Sequence, residues 1–320
     1  MKRSLQGAVA ILAVGMAAPA LAADYFGGDL RPAYPDTWQQ PDDSIRFEYG
    51  VAYWYSWGGQ NAGFGTPAPG PIDLSVRDQT HIGELHGKIE DLATQTYVAG
   101  RAGLGFHTSG TYDISPASSG NIGTGSRIGY AGADFGWLPL GTMTDGFAAG
   151  ALIGYQYWKD APDIGTGQYA VGGNPATLGD ARDDLDIHAL RLGVKGMAEF
   201  GMFDIQAEAA WIPYAHVSGA LGGSAPDGFN FPGVGAPIYE NAQTTLSGRG
   251  QGVMLEAMAG FHPTENLALR VGGRAWYLEG NLDAVFSGSV GGAALPTMTI
   301  PSTYASLFRY GLRAELTGKF

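Results

Sequence analysis

The chain has 320 residues, no cysteine, 52 glycines, a mean hydropathy of −0.04 and a formal net charge of −12. The absence of cysteine excludes a disulfide framework and thiol chemistry. The near-neutral hydropathy excludes a bundle of transmembrane helices, each of which needs about 20 consecutive apolar residues. The negative charge, with no basic stripe to offset it, excludes binding to nucleic acid.

The first 22 residues have the pattern of a secretory signal peptide. A basic start, Met1-Lys2-Arg3, precedes an apolar stretch from Ala8 to Ala18 and the small-residue site Ala20-Leu21-Ala22. This pattern predicts cleavage after Ala22, with residues 1–22 removed and residues 23–43 forming a periplasmic N-terminal segment. Removing Lys2 and Arg3 takes the formal net charge to about −14.

From residue 44 onward, apolar and polar residues alternate with a period of two, which predicts β-strands. The alternation is clear in the last strand, where Leu312 and Phe320 belong to the apolar row and Arg309 and Arg313 to the polar row. In segment 126–137 the sequence does not show which of the two alternating rows faces outward and which faces the lumen. The predicted strands cover about 44–58, 81–91, 95–106, 126–137, 147–158, 185–197, 203–211, 253–261, 267–277 and 308–320.

A soluble β-sandwich would also alternate, but three features favour a membrane barrel. The polar rows combine Arg and Glu with Gly, aromatic residues gather near the ends of the apolar rows, and short and long connections follow one another in turn. The short connections are 91–95, 138–146, 200–202 and 262–266, and the long ones are 58–80, 107–125, 159–184, 217–249 and 279–303. We therefore predict an all-β fold, a ten-stranded antiparallel transmembrane β-barrel over residues 44–320 with five long extracellular loops.

This fold predicts the location and partners of the protein. Strands can span lipid only as a closed barrel, so we expect the bacterial outer membrane, with both termini on the periplasmic side. The partners expected are outer-membrane lipid and lipopolysaccharide, together with the barrel assembly machinery, which would engage the last strand ending at Phe320. We expect a monomer, and the sequence does not identify an extracellular ligand.

The polar rows predict what fills the barrel. Opposite charges on neighbouring strands are expected to pair across the lumen, and Trp54, Trp158 and Trp276 fall on the inward rows and narrow the bore. A wide porin is excluded by this pattern, while a narrow channel for small solutes stays open as an alternative. The charges assigned to the lumen include Arg46, Glu48, Glu84, Lys88, Arg101, Glu208, Glu256, Arg270, Arg274, Arg313 and Glu315.

Over residues 80–320 the strand layout resembles the omptin family of ten-stranded outer-membrane endopeptidases. The resemblance rests on LIGYQYW, IHALRLGVKGMAEFGMFDIQAEAAW, EAMAGFHPTENLALRVGGRAW and YGLRAELTGKF, in that order, and on IGELHGKIED before a tight turn. It implies an activity in which two Asp near the tops of strands three and four, and an Asp-His pair near the fourth long loop, activate a water molecule.

The family's catalytic pattern is not matched here. The 107–125 connection holds a single acid, Asp113, and the fourth connection holds His216 and Asp227, which lie eleven residues apart. Asp186 and His188 have the spacing of an Asp-His pair, but their register places both on the outer face. We therefore predict no catalytic residues, and an omptin-like endopeptidase remains the enzymatic alternative.

Two parts of the sequence contain residues that could bind a metal ion. Asp180, Asp183, Asp184 and Asp186 offer carboxylate oxygens for Ca²⁺ but lack EF-hand spacing. His86 lies in a polar row among charged residues, which favours a salt-bridged lumen over a metal site. We predict no metal and no cofactor. The function predicted is that of a non-enzymatic surface protein, structural or adhesive, that acts through its loops.

Overall fold

The computed structural model describes most of the predicted barrel. The residues described are 44–65, 72–115, 118–142, 146–164, 168–171, 174–177, 184–225, 240–290, 293–294 and 296–320. The predicted signal peptide (1–22) and N-terminal segment (23–43) lie outside these residues. None of the described residues belongs to a helix that is long and apolar enough to cross a membrane.

Ten long strands form one sheet, and each pairs in antiparallel fashion with its neighbours in the chain. The sheet closes on itself because the first strand also pairs with the last, for example Val51 with Leu316. The prediction of a ten-stranded antiparallel barrel is confirmed. The strands are β1 Ile45–Phe64, β2 Ile72–Asp91, β3 Thr96–Ser115, β4 Gly123–Thr142, β5 Phe147–Asp163, β6 Asp184–Phe200, β7 Phe203–Ala225, β8 Glu240–Thr264, β9 Leu267–Val290 and β10 Met298–Lys319.

Four further short strands lie at one end of the barrel. Ser118–Asn121 pairs with β3, and Ala293–Ala294 pairs with the end of β9. Gln168–Val171 and Asn174–Thr177 pair only with each other. All four fall in connections that were predicted to be long, so this is the extracellular end.

The periplasmic end has the short connections, as predicted. They cover residues 92–95, 143–146, 201–202 and 265–266. Gly146 and Gly201 have φ angles of 79° and 62°, in the left-handed region where glycine carries no steric penalty. Asp91 fixes the first of these turns by accepting a hydrogen bond from the backbone N–H of Ala93 at 3.0 Å.

The outer face of the wall is apolar along the middle of the strands. Large apolar side chains that are exposed to the surroundings, such as Val51, Leu85 and Leu255, alternate with buried inward residues. Aromatic side chains border this band, and at the periplasmic border Tyr49 and Phe320 stack with ring centroids 5.0 Å apart. A closed barrel with an apolar band between aromatic borders is the architecture of bacterial outer-membrane proteins.

The structure corrects the extent of the long loops. Most of the residues assigned to loops continue the strands, because β1 runs to Phe64, β7 to Ala225 and β9 to Val290. The strand β8, for example, has 25 residues, whereas about 9–11 residues suffice to span a membrane. The wall therefore continues well beyond the apolar band on the extracellular side.

The structure also settles the ambiguous segment 126–137. Tyr130 and Asp134 are buried on the inner face of β4, and Phe135 and Trp137 are exposed on the outer face. Small residues occupy much of both rows of this segment, which is why the sequence alone did not separate them.

Candidate functional site

The periplasmic half of the barrel interior is lined by charged side chains. Every charge predicted to face the lumen does so and has an ion-pair partner. Their partners include Glu90, Asp134, Arg191 and Asp204. A charge removed from water needs such a partner, because its desolvation otherwise costs several kcal/mol.

The centre of this network is a cluster of two arginines and two glutamates. Arg274 Nη1 lies 2.7 Å from Glu84 Oε2, and Arg313 Nη1 lies 3.2 Å from Glu256 Oε1. Arg313 also binds Glu84, and Arg274 also binds Glu256, so each arginine joins both acids. The Tyr130 hydroxyl donates a hydrogen bond to Glu84. The cluster is internally neutral, which leaves no acid in it without a counter-charge.

Inward glycines allow ion pairs to form between strands that are not neighbours. Gly154 on β5 lies between Asp134 on β4 and Arg191 on β6, and the two charged side chains meet across it at 2.8 Å. A side chain at Gly154 would occupy the position of Asp134 Oδ1.

The same arrangement occurs at two other places in the wall. Gly260 separates Asp204 from Arg270, which meet at 3.1 Å, and Gly58 separates Asp78 from Arg309, which meet at 2.9 Å. These glycines in the polar rows therefore leave the space in which the ion pairs form.

A layer of aromatic rings lies above the charged network. Trp276 has its ring 5.0 Å from that of Trp54, 4.9 Å from that of Trp158 and 4.9 Å from that of Tyr130. The guanidinium of Arg274 lies 5.2 Å from the Trp54 ring, close enough for a cation–π contact. The prediction that the three tryptophans face inward is confirmed, and together with Tyr130 they fill the bore.

The extracellular half of the lumen is mainly apolar, which corrects the expectation of a polar interior throughout. Along β9, for example, the inward row changes from Arg270 and Arg274 to Leu278 and Leu282. A cavity of about 40 Å³ remains among these side chains, room for about one water molecule. The apolar cluster includes Ala62, Phe64, Ile82, Leu185, Ile187, Ile212, Val217, Leu246, Met254, Leu278, Leu282 and Leu307.

One pair of carboxylates lies in this half, where a water-activating site would have to be. Asp78 and Asp160 both bind Arg309, at 2.9 Å and 3.4 Å, and all three side chains are buried. Asp78 also accepts a hydrogen bond from Thr80 Oγ1 at 2.6 Å. The guanidinium and the hydroxyl engage both oxygens of Asp78, while Asp160 contacts the same guanidinium through one oxygen.

The candidate residues of the omptin resemblance do not come together. The sequence analysis placed Asp113 and His216 in loops. In the structure both lie on strands, Asp113 exposed on β3 and His216 on β7. Asp227 lies outside the described residues. His188 is exposed on the outer face, as its register predicted, and it lies directly opposite His216.

The predicted metal candidates are engaged in other contacts. Lys159 binds the carboxylates of Asp184 and Asp186, while Asp180 and Asp183 lie outside the described residues. His86 Nε2 lies 3.1 Å from Thr317 Oγ1 inside the charged network. In the part of the chain that is described, no group of three or more His, Asp or Glu side chains is placed to hold one metal ion.

Comparisons with known proteins support the fold alone. No family model and no curated protein sequence matches the chain. Among solved structures, the outer membrane protease OmpT from Escherichia coli has a TM-score of 0.60 at 10% identity, over 88% of this chain and 98% of that chain. This likeness confirms the omptin-like strand layout.

Two autotransporter domains also match, with lower scores. The translocator domain of NalP from Neisseria meningitidis has a TM-score of 0.33 at 10% identity, over 99% of this chain and 98% of its own. The β domain of the Bordetella autotransporter Brka has a TM-score of 0.35 at 10% identity, over 86% and 99%. We draw no functional conclusion from them.

Proposed function

We propose that this outer-membrane barrel is a non-enzymatic surface protein, structural or adhesive, whose extracellular segments bind a partner. The observation that carries the proposal is the filling of the lumen. Charged side chains pack its periplasmic half, aromatic rings close its middle, and apolar side chains pack its extracellular half. Because the lumen is filled, we assign the wall the role of a scaffold for the extracellular segments.

The length of the strands supports the same reading. A strand of 25 residues, such as β8, is about 85 Å long, or about 60 Å along the barrel axis at a tilt of 45°. The apolar band of an outer-membrane barrel is about 25 Å tall. A rigid, hydrogen-bonded wall therefore carries the connecting segments well away from the membrane, where large partners are accessible.

The arrangement of acids and histidines argues against the omptin mechanism. A general base must reach its water molecule within hydrogen-bonding distance, and it must be free to accept a proton. Asp78 is bound by both Arg309 and Thr80, Asp160 shares the same arginine, and His188 faces away from both acids on the outer wall.

Two partners follow from the placement in the membrane. Lipopolysaccharide would contact the extracellular aromatic border, where Trp57 and Tyr310 stack with centroids 5.5 Å apart. The barrel assembly machinery would engage β10, which is an amphipathic strand. Its inward row is charged, and its outward row consists of apolar and aromatic residues, among them Phe308, Tyr310, Leu312 and Leu316. We propose both on these grounds, and we propose a monomer.

Conductance in planar bilayers tests the closed lumen. The mature protein, refolded in detergent, should insert without discrete conductance steps. The double variant W54A/W276A removes two rings of the aromatic layer and should conduct, whereas W211A, on the outer face, should not. Steady, ion-selective steps from the wild-type protein would favour the narrow channel instead.

A peptide-cleavage screen tests the absence of enzymatic activity. We expect no cleavage of a dibasic peptide library, with or without added lipopolysaccharide. Cleavage that is lost in H188A, H216A or D78N would establish the omptin-like alternative and identify the group responsible. The matched control is E265Q, which changes an exposed acid in the periplasmic turn between β8 and β9.

A further inference from the structure

Two histidine pairs lie on the outer wall of the barrel. His81 on β2 lies directly opposite His107 on β3, and we name these two the first pair. His188 on β6 lies directly opposite His216 on β7, and we name these two the second pair. Four of the six histidines in the chain therefore form cross-strand pairs on the outer face.

In both pairs a tyrosine on the preceding strand holds one histidine by its Nδ1 atom. Tyr53 Oη lies 2.6 Å from His81 Nδ1, and Tyr155 Oη lies 2.6 Å from His188 Nδ1. The ring centroids of these two contacts are 6.0 Å and 6.1 Å apart.

A second tyrosine completes each arrangement. Tyr55 lies opposite His81 with ring centroids 5.0 Å apart, and Tyr157 lies opposite His188 with centroids 5.2 Å apart. The same Tyr-x-Tyr, His and His constellation thus occurs twice, on β1–β3 and on β5–β7.

The hydrogen bond determines which nitrogen atom is available. With Nδ1 engaged by the tyrosine hydroxyl, Nε2 is left for another partner, as in metal sites where a second group orients the ligating imidazole. The rings of His81 and His107 lie 5.5 Å apart. Two imidazoles bound to one ion through nitrogens at about 2.0–2.1 Å have their centres about 5–6 Å apart, so the first pair already has the required separation.

The position of the pairs in the wall gives a hydrated ion access to them. Each pair lies where the outward row changes from apolar to polar: Leu190 lies on the membrane side of His188, and Asp186 lies on the extracellular side. The Asp186 carboxylate accepts a hydrogen bond from the Tyr157 hydroxyl. Asp186 also binds Lys159, and Arg249 lies directly opposite His216, so it is the aqueous border and not a net negative charge that suits a hydrated metal ion at the second pair.

We propose that each pair binds one divalent transition-metal ion through the imidazoles of its two histidines. Imidazole suits Cu²⁺, Ni²⁺ and Zn²⁺ rather than Mg²⁺ or Ca²⁺, which take oxygen ligands. Because no third His, Asp or Glu ligand joins either pair among the described residues, water occupies the remaining positions. The bound ion would tie β2 to β3 and β6 to β7 at the extracellular border of the membrane.

Calorimetric titration with Ni²⁺ tests the proposal on the mature protein, refolded in detergent and stripped with a chelator. We expect H81Q/H107Q and H188Q/H216Q each to lose one equivalent of bound Ni²⁺ relative to the wild type, and the combined variant to lose two. Each stoichiometry is read as a difference from the wild type, so ions bound elsewhere do not affect the comparison. An unchanged stoichiometry in the combined variant would overturn the proposal.

The tyrosine contacts allow a finer test. The variants Y53F and Y155F keep the rings and remove the hydroxyls, and each should weaken its own site about tenfold. Y310F is the matched control, since Tyr310 belongs to the same aromatic border but contacts no histidine in the described structure. Heat-modifiable migration in gels verifies that each variant has folded. Equal affinity in Y53F, Y155F and Y310F would contradict the positioning role of the tyrosines.

Discussion

The two halves of the lumen are filled in different ways by the same wall. On β7, the inward row begins with Asp204 and Glu208 and continues with Ile212 and Val217. The charged half depends on partners at fixed positions, since each ion must meet its counter-ion at hydrogen-bonding distance. The apolar half depends on volume, since any well-packed side chain of suitable size excludes water. One barrel therefore combines a half that requires particular ion-pair partners with a half that accepts other apolar side chains of similar volume.

The largest effect is expected where the charged half is broken at its centre. R274A would leave Glu84 and Glu256 with fewer counter-charges and remove the guanidinium from the Trp54 ring. Removing one member of a buried ion pair costs about 3–5 kcal/mol. Denaturant titration in lipid vesicles measures the loss, with R249A, an exposed arginine on β8, as the control. Equal losses in the two variants would mean that the network contributes little.

The apolar half should respond to lost volume. I212A removes a fully buried side chain from β7 and should cost about 2–4 kcal/mol, because a cavity remains. Ile205 on the same strand faces outward, where lipid can fill the space, and I205A should cost less. Unfolding titrations of the two variants side by side give the difference. A greater loss in I205A would contradict the assignment of the two faces.

How much of this could be predicted from the sequence differs between the halves. The alternating rows predicted the barrel and its luminal charges, because lipid requires an apolar outer row and makes the pattern visible. Beyond the lipid no such row is needed, so the extracellular strand ends resemble Gly-rich and Ser-rich loops. Inward residues there, such as Ala62, Val217 and Leu246, were assigned to loops, and the apolar half was missed.

The pairing across strands was hidden for a different reason. Asp78 and Arg309 are 231 residues apart in the chain and meet only because Gly58 lies between them in the folded sheet. The histidine pairs likewise depend on the register of neighbouring strands. Alternation within one strand predicts which way a side chain faces, but not which side chain lies opposite.

An intermediate effect is expected at the glycines that the ion pairs cross. In G154A the new methyl group would overlap Asp134 Oδ1 and push the carboxylate away from Arg191. Overpacking of this kind costs about 1–3 kcal/mol. G83A is the control, since a Cβ at Gly83 would have no neighbour within 4 Å. Equal stability of the two variants in lipid would show that the ion pair adjusts without loss.

The smallest effect is expected where the same chemistry occurs at the extracellular rim. Arg127 binds Asp184 at 2.8 Å, the same distance at which Arg191 binds Asp134 in the lumen, but the Arg127 side chain is 54% exposed and that of Arg191 only 1%. Exposed pairs contribute about 0–1 kcal/mol, because water screens them and ordering the side chains has an entropic cost. Asp184 also keeps Lys159 as a partner when Arg127 is lost.

R127A should therefore change the free energy of unfolding by less than about 1 kcal/mol, and raising the salt concentration to about 1 M should remove even that difference. A loss in R127A as large as in R191A would mean that burial does not separate the two pairs, and the contrast between the lumen and the rim would fail.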